Sequence, residues 1–203
     1  RLPERIDRTI AAVAPVHGYA EAASVLMDGR RVAIKVGRGA SGCGDLLMEL
    51  ADLIDAVFVM SPSSLGIVPS SASRQMTVGG SKGSISGNYA MEHADTLLVV
   101  GSRGVCQSDC SRTGYPNVRR VVNINANVDD VSRYSGTTAL LGDTRPVLER
   151  LVAQVRSRQE TAPDPSEWFA SCGRKRSEWD GFKAALAMHP RLHDEVWGRE
   201  VRS

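Results

Sequence analysis

No apolar run in this chain approaches the roughly 18 residues that a membrane-spanning helix needs, and the stretch after Arg1 carries no signal-peptide pattern. Charge of one sign is also scarce. Lys and Arg number 25 against 23 Asp and Glu, a net +2, so no field calls for nucleic acid or a membrane surface as partner. The four cysteines, Cys43, Cys106, Cys110 and Cys172, are too sparse and uneven for a disulfide framework. They read as reduced thiols of a cytoplasmic protein. Catalytic signatures are missing as well. No serine sits in a G-x-S-x-G elbow, and "GGSKGSISG" is no P-loop, because Gly83 follows Lys82. Metal ligands do not gather either: Cys106 and Cys110 have only a distant His93, and Pro190 spoils the spacing of His189 and His193.

What is present is alternation. "GYAEAASVLMDG" (18–29) is rich in helix formers and stops at glycine. "RRVAIKVG" (30–37) is a short β-branched run leading into the loop "GRGASGCG". "DLLMELADLI" (45–54) puts five apolar residues on one helical face, with Asp45 as the expected N-cap. "AVFVM", "TLLVVG", "RRVVNINAN" and "TTALLGD" supply the remaining strands, five in all. "TRPVLERLVAQVRSR" (144–158) has the early proline and 3–4 spacing of a helix. Continuous apolar strands between amphipathic helices predict a doubly wound, Rossmann-like α/β domain with a parallel sheet over residues 1–158. Such sheets bind ligands beyond the carboxyl ends of their strands. The glycine loops fall there, at 37–44 and 101–104. Gly37, Gly39 and Gly42 match G-x-G-x-x-G, a pattern equally open to a phosphate contact and a structural turn. No acid ends the second strand: Ser61 stands where a ribose-binding Asp or Glu is expected. Lys82 is placed to reach an anion, or else is merely solvated beside small residues that let two backbones close up.

After Arg158 the character changes. "QETAPDPSEW" reads as a linker, and a tail over 159–203 holds Trp168, Trp179 and Trp197, with helical spacing from Ser166 to Met188. Large aromatics on a charged tail need something to pack against. The chain begins without Met and stops in "WGREVRS", so the expectation is a segment of a longer polypeptide.

The order of the motifs resembles the central domain of thiamine diphosphate-dependent enzymes of the acetolactate synthase group. The matching stretches are "RRVAIKVGRGASG", "GGSKGSISGNYAMEHADTLLVVGSR" and "NVRRVVNINANVDDVSRYSGTTALLGDTRPVLERL", about three quarters of the chain. Gly37, Gly39, Lys82, Gly83, Gly87, Ala94, Asp95, Gly101, Arg103, Ile124, Gly142 and Asp143 fall on the family pattern in order. "NIN" at 123–125 also resembles the trihydroxycyclohexanedione hydrolase branch. The resemblance implies neighbours in the same polypeptide, a pyrimidine-binding domain carrying the activating glutamate and a diphosphate-binding domain carrying G-D-G…N. It further implies a homo-oligomeric parent that binds thiamine diphosphate and Mg²⁺. This segment has "LGDT" instead of G-D-G, so it is expected to scaffold its neighbours without catalysing. Some family members hold FAD, ADP or a CoA moiety along the strand ends. That implies Gly37, Gly39, Ser41, Gly42, Gly80, Lys82, Gly83, Gly101, Ser102, Arg103 and Asn125 as candidate cofactor contacts. FAD users place an acidic pair after the "NIN" strand. Here Asn125 and Asn127 stand there, with Asp129 and Asp130 displaced onward, which tells against flavin and favours a vestigial nucleotide cleft. The competing readings are a free-standing NAD- or ADP-type nucleotide module and a pure interaction domain contacting through the Trp-rich tail.

Overall fold

The structure, a computed structural model, describes residues 14–104, 106–110, 113–159 and 161–188. The side chains of Cys106 and Ser108, together with His189, Pro190, His193 and Trp197, lie outside what it describes. Strands β1 (Val32–Val36), β2 (Val57–Met60), β3 (Gln75–Val78), β4 (Thr96–Val100), β5 (Arg120–Asn125) and β6 (Thr137–Leu141) alternate with helices along the chain. The longer helices are α1 (Val16–Met27), α2 (Gly44–Leu53), α3 (Ile85–His93), α6 (Thr144–Arg156) and α7 (Glu167–Ala187). Two single turns, α4 (Cys106–Asp109) and α5 (Val128–Val131), flank β5 in sequence. All strand pairs are parallel, and the six-stranded order is β3-β2-β1-β4-β5-β6. This is the doubly wound arrangement, whose strand order reverses between β1 and β4.

The apolar pattern explains the layers. β1, β2 and β4 are buried at every position, as strands covered on both faces must be. Their side chains alternate between two cores. Ile34, Val36, Phe58, Met60, Leu98 and Val100 meet α1, α2 and α6 through Leu26, Leu47, Leu50 and Leu151. Ala33, Val57, Val59, Leu97 and Val99 meet α3 and α7 through Ala90, Met91, Trp168 and Cys172.

Three expectations are corrected. A sixth strand, β3, forms from "QMTV", too short and too polar to stand out, because Phe58 N–H finds the Arg74 carbonyl at 2.8 Å. Asp45 is not the N-cap: α2 starts at Gly44 after Cys43, and Asp45 sits in the first turn, where a carboxylate favours the helix dipole without capping. α1 begins two residues before Gly18, at Val16, after Pro15.

The residues after Arg158 return to the sheet. Ser166 caps α7, its backbone N–H donating to Asp55 (3.0 Å) and its hydroxyl accepting from Phe169 N–H (3.3 Å). Arg74, almost fully buried, bonds Asp52 (2.7 Å) and Asp55 (2.9 Å) and lies 4.6 Å from the centre of the Phe169 ring. Trp168 is buried against the second core and donates its Nε1–H to the Val32 carbonyl at 3.2 Å. Beyond Gly181 every residue of α7 is exposed.

Candidate functional site

A cleft of about 730 Å³ opens at the carboxyl ends of β1, β2, β4 and β5, across the switch point. That volume suits a small-molecule ligand. Its walls come from five segments: Gly37 to Gly39 after β1, Ser61 to Ser63 after β2, Gly101 to Arg103 after β4, Asn125 and Ala126 at the end of β5, and Asp143 with Thr144 at the start of α6. Gln107 of α4 and Asp130 of α5 complete the lining.

The glycines at its floor have a steric task. A Cβ on Gly37 would sit 2.6 Å from the Gly101 carbonyl carbon, and one on Gly39 would sit 2.9 Å from Gly101 Cα. Gly101, at φ +57°, would press a Cβ to 2.6 Å from Gly39 Cα. The two loops interlock, with Gly39 N–H donating to the Gly101 carbonyl at 3.0 Å. The N–H groups of Gly37, Ala40, Ser41 and Cys43 also donate within the protein. This loop therefore differs from a phosphate cradle, which presents free N–H groups. The first turn of α2 carries Asp45, whose carboxylate bonds Arg145 (3.0 Å) and is held below the usual range chiefly by that hydrogen bond.

The expected contacts thus divide. Gly37, Gly39, Gly101, Ser102, Arg103 and Asn125 line the cleft. Asn125 is fixed by Nδ2–H to the Ser102 carbonyl (3.0 Å) and by accepting from Asn127 N–H (3.1 Å). Ser41 and Gly42 stand outside the lining; the Ser41 hydroxyl donates to the Arg38 carbonyl at 2.7 Å, and the Gly42 carbonyl accepts from Arg145. Gly80, Lys82 and Gly83 are also outside it. Their loop is a packed turn: Gly80 N–H bonds Asn88 Oδ1 (2.8 Å), Ser81 N–H bonds the Gln107 carbonyl (2.9 Å), and Lys82 is exposed.

Beside Arg103, already expected as a contact, Arg38 and Ser61 supply polar groups that the sequence does not propose as ligand contacts. Arg38 and Arg103 are exposed in the cleft, and neither forms an ion pair among the described residues. Ser61 is 6% exposed. Its side chain faces the Ser64 N–H as in a capping box, but that N–H donates to the Ser61 carbonyl at 2.9 Å and leaves Ser61 Oγ unpartnered. Asp130 is occupied by Arg133 at 3.2 Å. The signal for Arg38 and Ser61 is positional, since both directly follow a buried parallel strand or its closing glycine.

Behind the cleft lies a second polar group that the pattern of "RRVAIKVG" does not announce. Lys35 is fully buried on the α3/α7 side of β1. Burial pulls its pKa down to about 8 against the opposing attraction of Asp109 and Cys110. Asp109, also fully buried, accepts from the Tyr134 hydroxyl at 2.8 Å. Among the described residues no three His, Cys, Asp or Glu side chains gather as a metal-binding group, and no helix is long and apolar enough to cross a membrane. The Mg²⁺–diphosphate unit of a thiamine cofactor does not fit these residues: no three carboxylate, histidine or cysteine side chains gather among those described, and Asp130 of the cleft is held by Arg133.

Comparison with known proteins agrees with this architecture. The family model described as "Thiamine pyrophosphate enzyme, central domain" matches residues 19–151. The acetolactate synthase large subunit of Corynebacterium glutamicum is 22% identical over 88% of this chain, and acetolactate synthase 1, chloroplastic, of Oryza sativa subsp. japonica is 24% identical over 77%. A probable 2-ketoarginine decarboxylase of Pseudomonas aeruginosa is 29% identical over 86%. The chain spans 27%, 25% and 31% of the lengths of these three relatives. With its parallel sheet, its cleft at the switch point and more than half its residues matched, this chain belongs to the family of thiamine pyrophosphate enzyme central domains.

Proposed function

We propose that this chain is the non-catalytic central domain of a thiamine diphosphate-dependent, cytoplasmic homo-oligomeric enzyme acting on 2-keto acids or related C–C bonds, and that its cleft holds a nucleotide. In the parent, thiamine diphosphate with Mg²⁺ supplies the chemistry. It is held by the pyrimidine- and diphosphate-binding domains of the same polypeptide, which this domain orders. The acetolactate synthases and the decarboxylase among the relatives support the substrate class.

The observation that carries the nucleotide reading is the cleft itself, polar-walled, at the switch point, with Arg38 and Arg103 free of ion pairs among the described residues and Ser61 Oγ buried without a partner. A buried hydroxyl with no partner is costly unless something bonds it. ADP suits such a cleft better than FAD, because no free acidic pair lines its β5 side. The likeness to the trihydroxycyclohexanedione hydrolase branch rests on "NIN" at 123–125. The Asn123 amide donates to the Asp130 and Val131 carbonyls (2.9 and 3.0 Å), a contact within the fold that does not bear on the branch. A free-standing NAD module has no observation in its favour, since the end of β2 offers no carboxylate.

Calorimetry on the 203-residue chain tests both halves. ADP is expected to bind and to raise the melting temperature, whereas thiamine diphosphate with Mg²⁺ is expected to give no heat. Tight thiamine diphosphate binding by this segment would contradict the scaffold reading. Silence towards ADP and every other nucleotide would contradict the cleft.

A further inference from the structure

The wall of the cleft formed by β1 and β2 has a chemistry of its own. In a doubly wound cleft the end of β2 is where a carboxylate accepts the ribose hydroxyls, while a nearby arginine accommodates a phosphate carried on that ribose. Here β2 ends in Ser61, Pro62 and Ser63, and no acid lines that wall. The cleft's acids, Asp130 and Asp143, stand after β5 and β6 on the opposite side. Arg38, next to Gly37, shares the β1–β2 wall, is exposed, and has no ion-pair partner among the described residues.

The wall is also preformed. Ser61 N–H and the Ser64 hydroxyl both donate to the Val36 carbonyl, at 3.0 and 2.7 Å, fastening the end of β2 to the end of β1. The 3-10 turn at Arg38–Ala40 packs on the one at Pro62–Ser64. Ser61 Oγ, buried and unpartnered, and the exposed Ser63 hydroxyl belong to the same wall as Arg38. A guanidinium and hydroxyl donors on one wall are the recognition chemistry of a phosphate monoester, whereas a carboxylate at this place would repel one.

We infer that the Arg38/Ser61–Ser63 wall binds a phosphate ester on the ribose 2′- or 3′-hydroxyl, so that the cleft selects nucleotides phosphorylated on the ribose over those phosphorylated only at the 5′ position. This rests on the nucleotide reading of the cleft. It fixes the ligand class: an adenosine 2′,5′- or 3′,5′-bisphosphate unit, alone or within a larger cofactor.

The test is calorimetric titration of the 203-residue chain, at about physiological salt, with adenosine 2′,5′-bisphosphate, adenosine 3′,5′-bisphosphate, ADP, ATP and inorganic phosphate. ATP controls for charge. One of the bisphosphates is expected to bind about tenfold or more tighter than ADP and ATP, as an added charge-assisted bidentate contact would give. Arg38→Ala should erase that preference, weakening the bisphosphate about tenfold or more beyond whatever it costs ADP. Ser63→Asp, at an exposed position, should abolish the preference by setting a carboxylate against the phosphate; circular dichroism confirms that both variants fold. If both bisphosphates bind no better than ATP, or keep their preference in Arg38→Ala, the ribose-phosphate site is overturned and the nucleotide cleft survives. If inorganic phosphate binds as tightly as the bisphosphates, the wall is a bare anion site and the inference falls. If nothing binds at millimolar concentration, the nucleotide reading falls and takes the inference with it.

Discussion

Lys35 occupies the middle of the central strand with no exposed surface, in a row that pairs Val99 on one side and Val59 on the other. Charged side chains are seldom buried without partners, and this one lies in the field of Asp109, itself bonded by Tyr134. Burial lowers the lysine's pKa from 10.5 to about 8, more than the acid and Cys110 restore. The sign of its pH effect follows. Below about 8 the folded and unfolded chains both hold the proton, and the full cost of burying the charge is present. Between about 8 and 10.5 the folded chain has released it and the unfolded chain has not, so rising pH favours folding. Urea midpoints of the native chain and of Lys35→Met, at about pH 7.5 and 9.5, measure this. The native chain should gain about 1–2 kcal/mol on the variant over that range, one pKa unit being about 1.4 kcal/mol. Cys43, Cys172, Tyr19 and Tyr115, whose pKa values burial raises, act in both proteins and cancel in the difference. A difference that stays flat between about pH 7.5 and 9.5 would show that Lys35 keeps its proton in the folded chain and that burial has not lowered its pKa. Nothing in "RRVAIKVG" marks this lysine, because alternation tells which face a residue takes but not that the face is closed over it, with Asp109 of α4 nearby.

The glycine-rich loops after β1 and β4 show why an element's place can be legible while its purpose is not. Strand ends, glycines and the switch point all follow from apolar runs and turn residues, so the cleft's position can be read. Its working groups cannot, because a sequence does not reveal which N–H groups are already engaged. Gly37, Gly39 and Gly101 are glycines because two backbones meet there, and the candidate ligand groups are the side chains between them. The contrast with Gly42 makes this testable. Gly42 has φ +78°, and a Cβ added there would meet nothing within 4 Å. Gly42→Ala is therefore expected to cost only the left-handed strain, about 1 kcal/mol. Gly37→Ala must part the β1 and β4 loops, and overpacking of that kind costs about 3 kcal/mol or more. Chemical denaturation of the two variants checks the order. Equal losses would mean the interlocked loops have slack.

At the scale of the molecule the two faces of the sheet are unequally covered. Three long helices, α1, α2 and α6, close one face, while α3 and the first half of α7 close the other. The helix that sequence composition assigns to a tail therefore completes a core. Trp168 and Cys172 are 5% and 1% exposed, and Arg176 reaches the Gln75 and Ser70 carbonyls. The linker composition before it is legible; its return to the sheet depends on Trp168 meeting a surface assembled from β1, β4 and α3, contacts too distant in sequence to read. Truncating a buried tryptophan costs about 3–5 kcal/mol, set against a total stability of about 5–15 kcal/mol for a domain. A chain ending at Arg158 loses Trp168, Cys172 and the Asp55–Ser166 contact together, so it is expected to be marginal, to melt well below the full chain, and to bind a hydrophobic dye through Ala33, Leu97 and Met91. A chain ending at Asp180 keeps every one of those contacts, and the described residues it sheds, 181–188, are all exposed, so its melting temperature should stay within a few degrees of the full chain's. Equal stability of the chain ending at Arg158 would mean that α3 alone closes the second face.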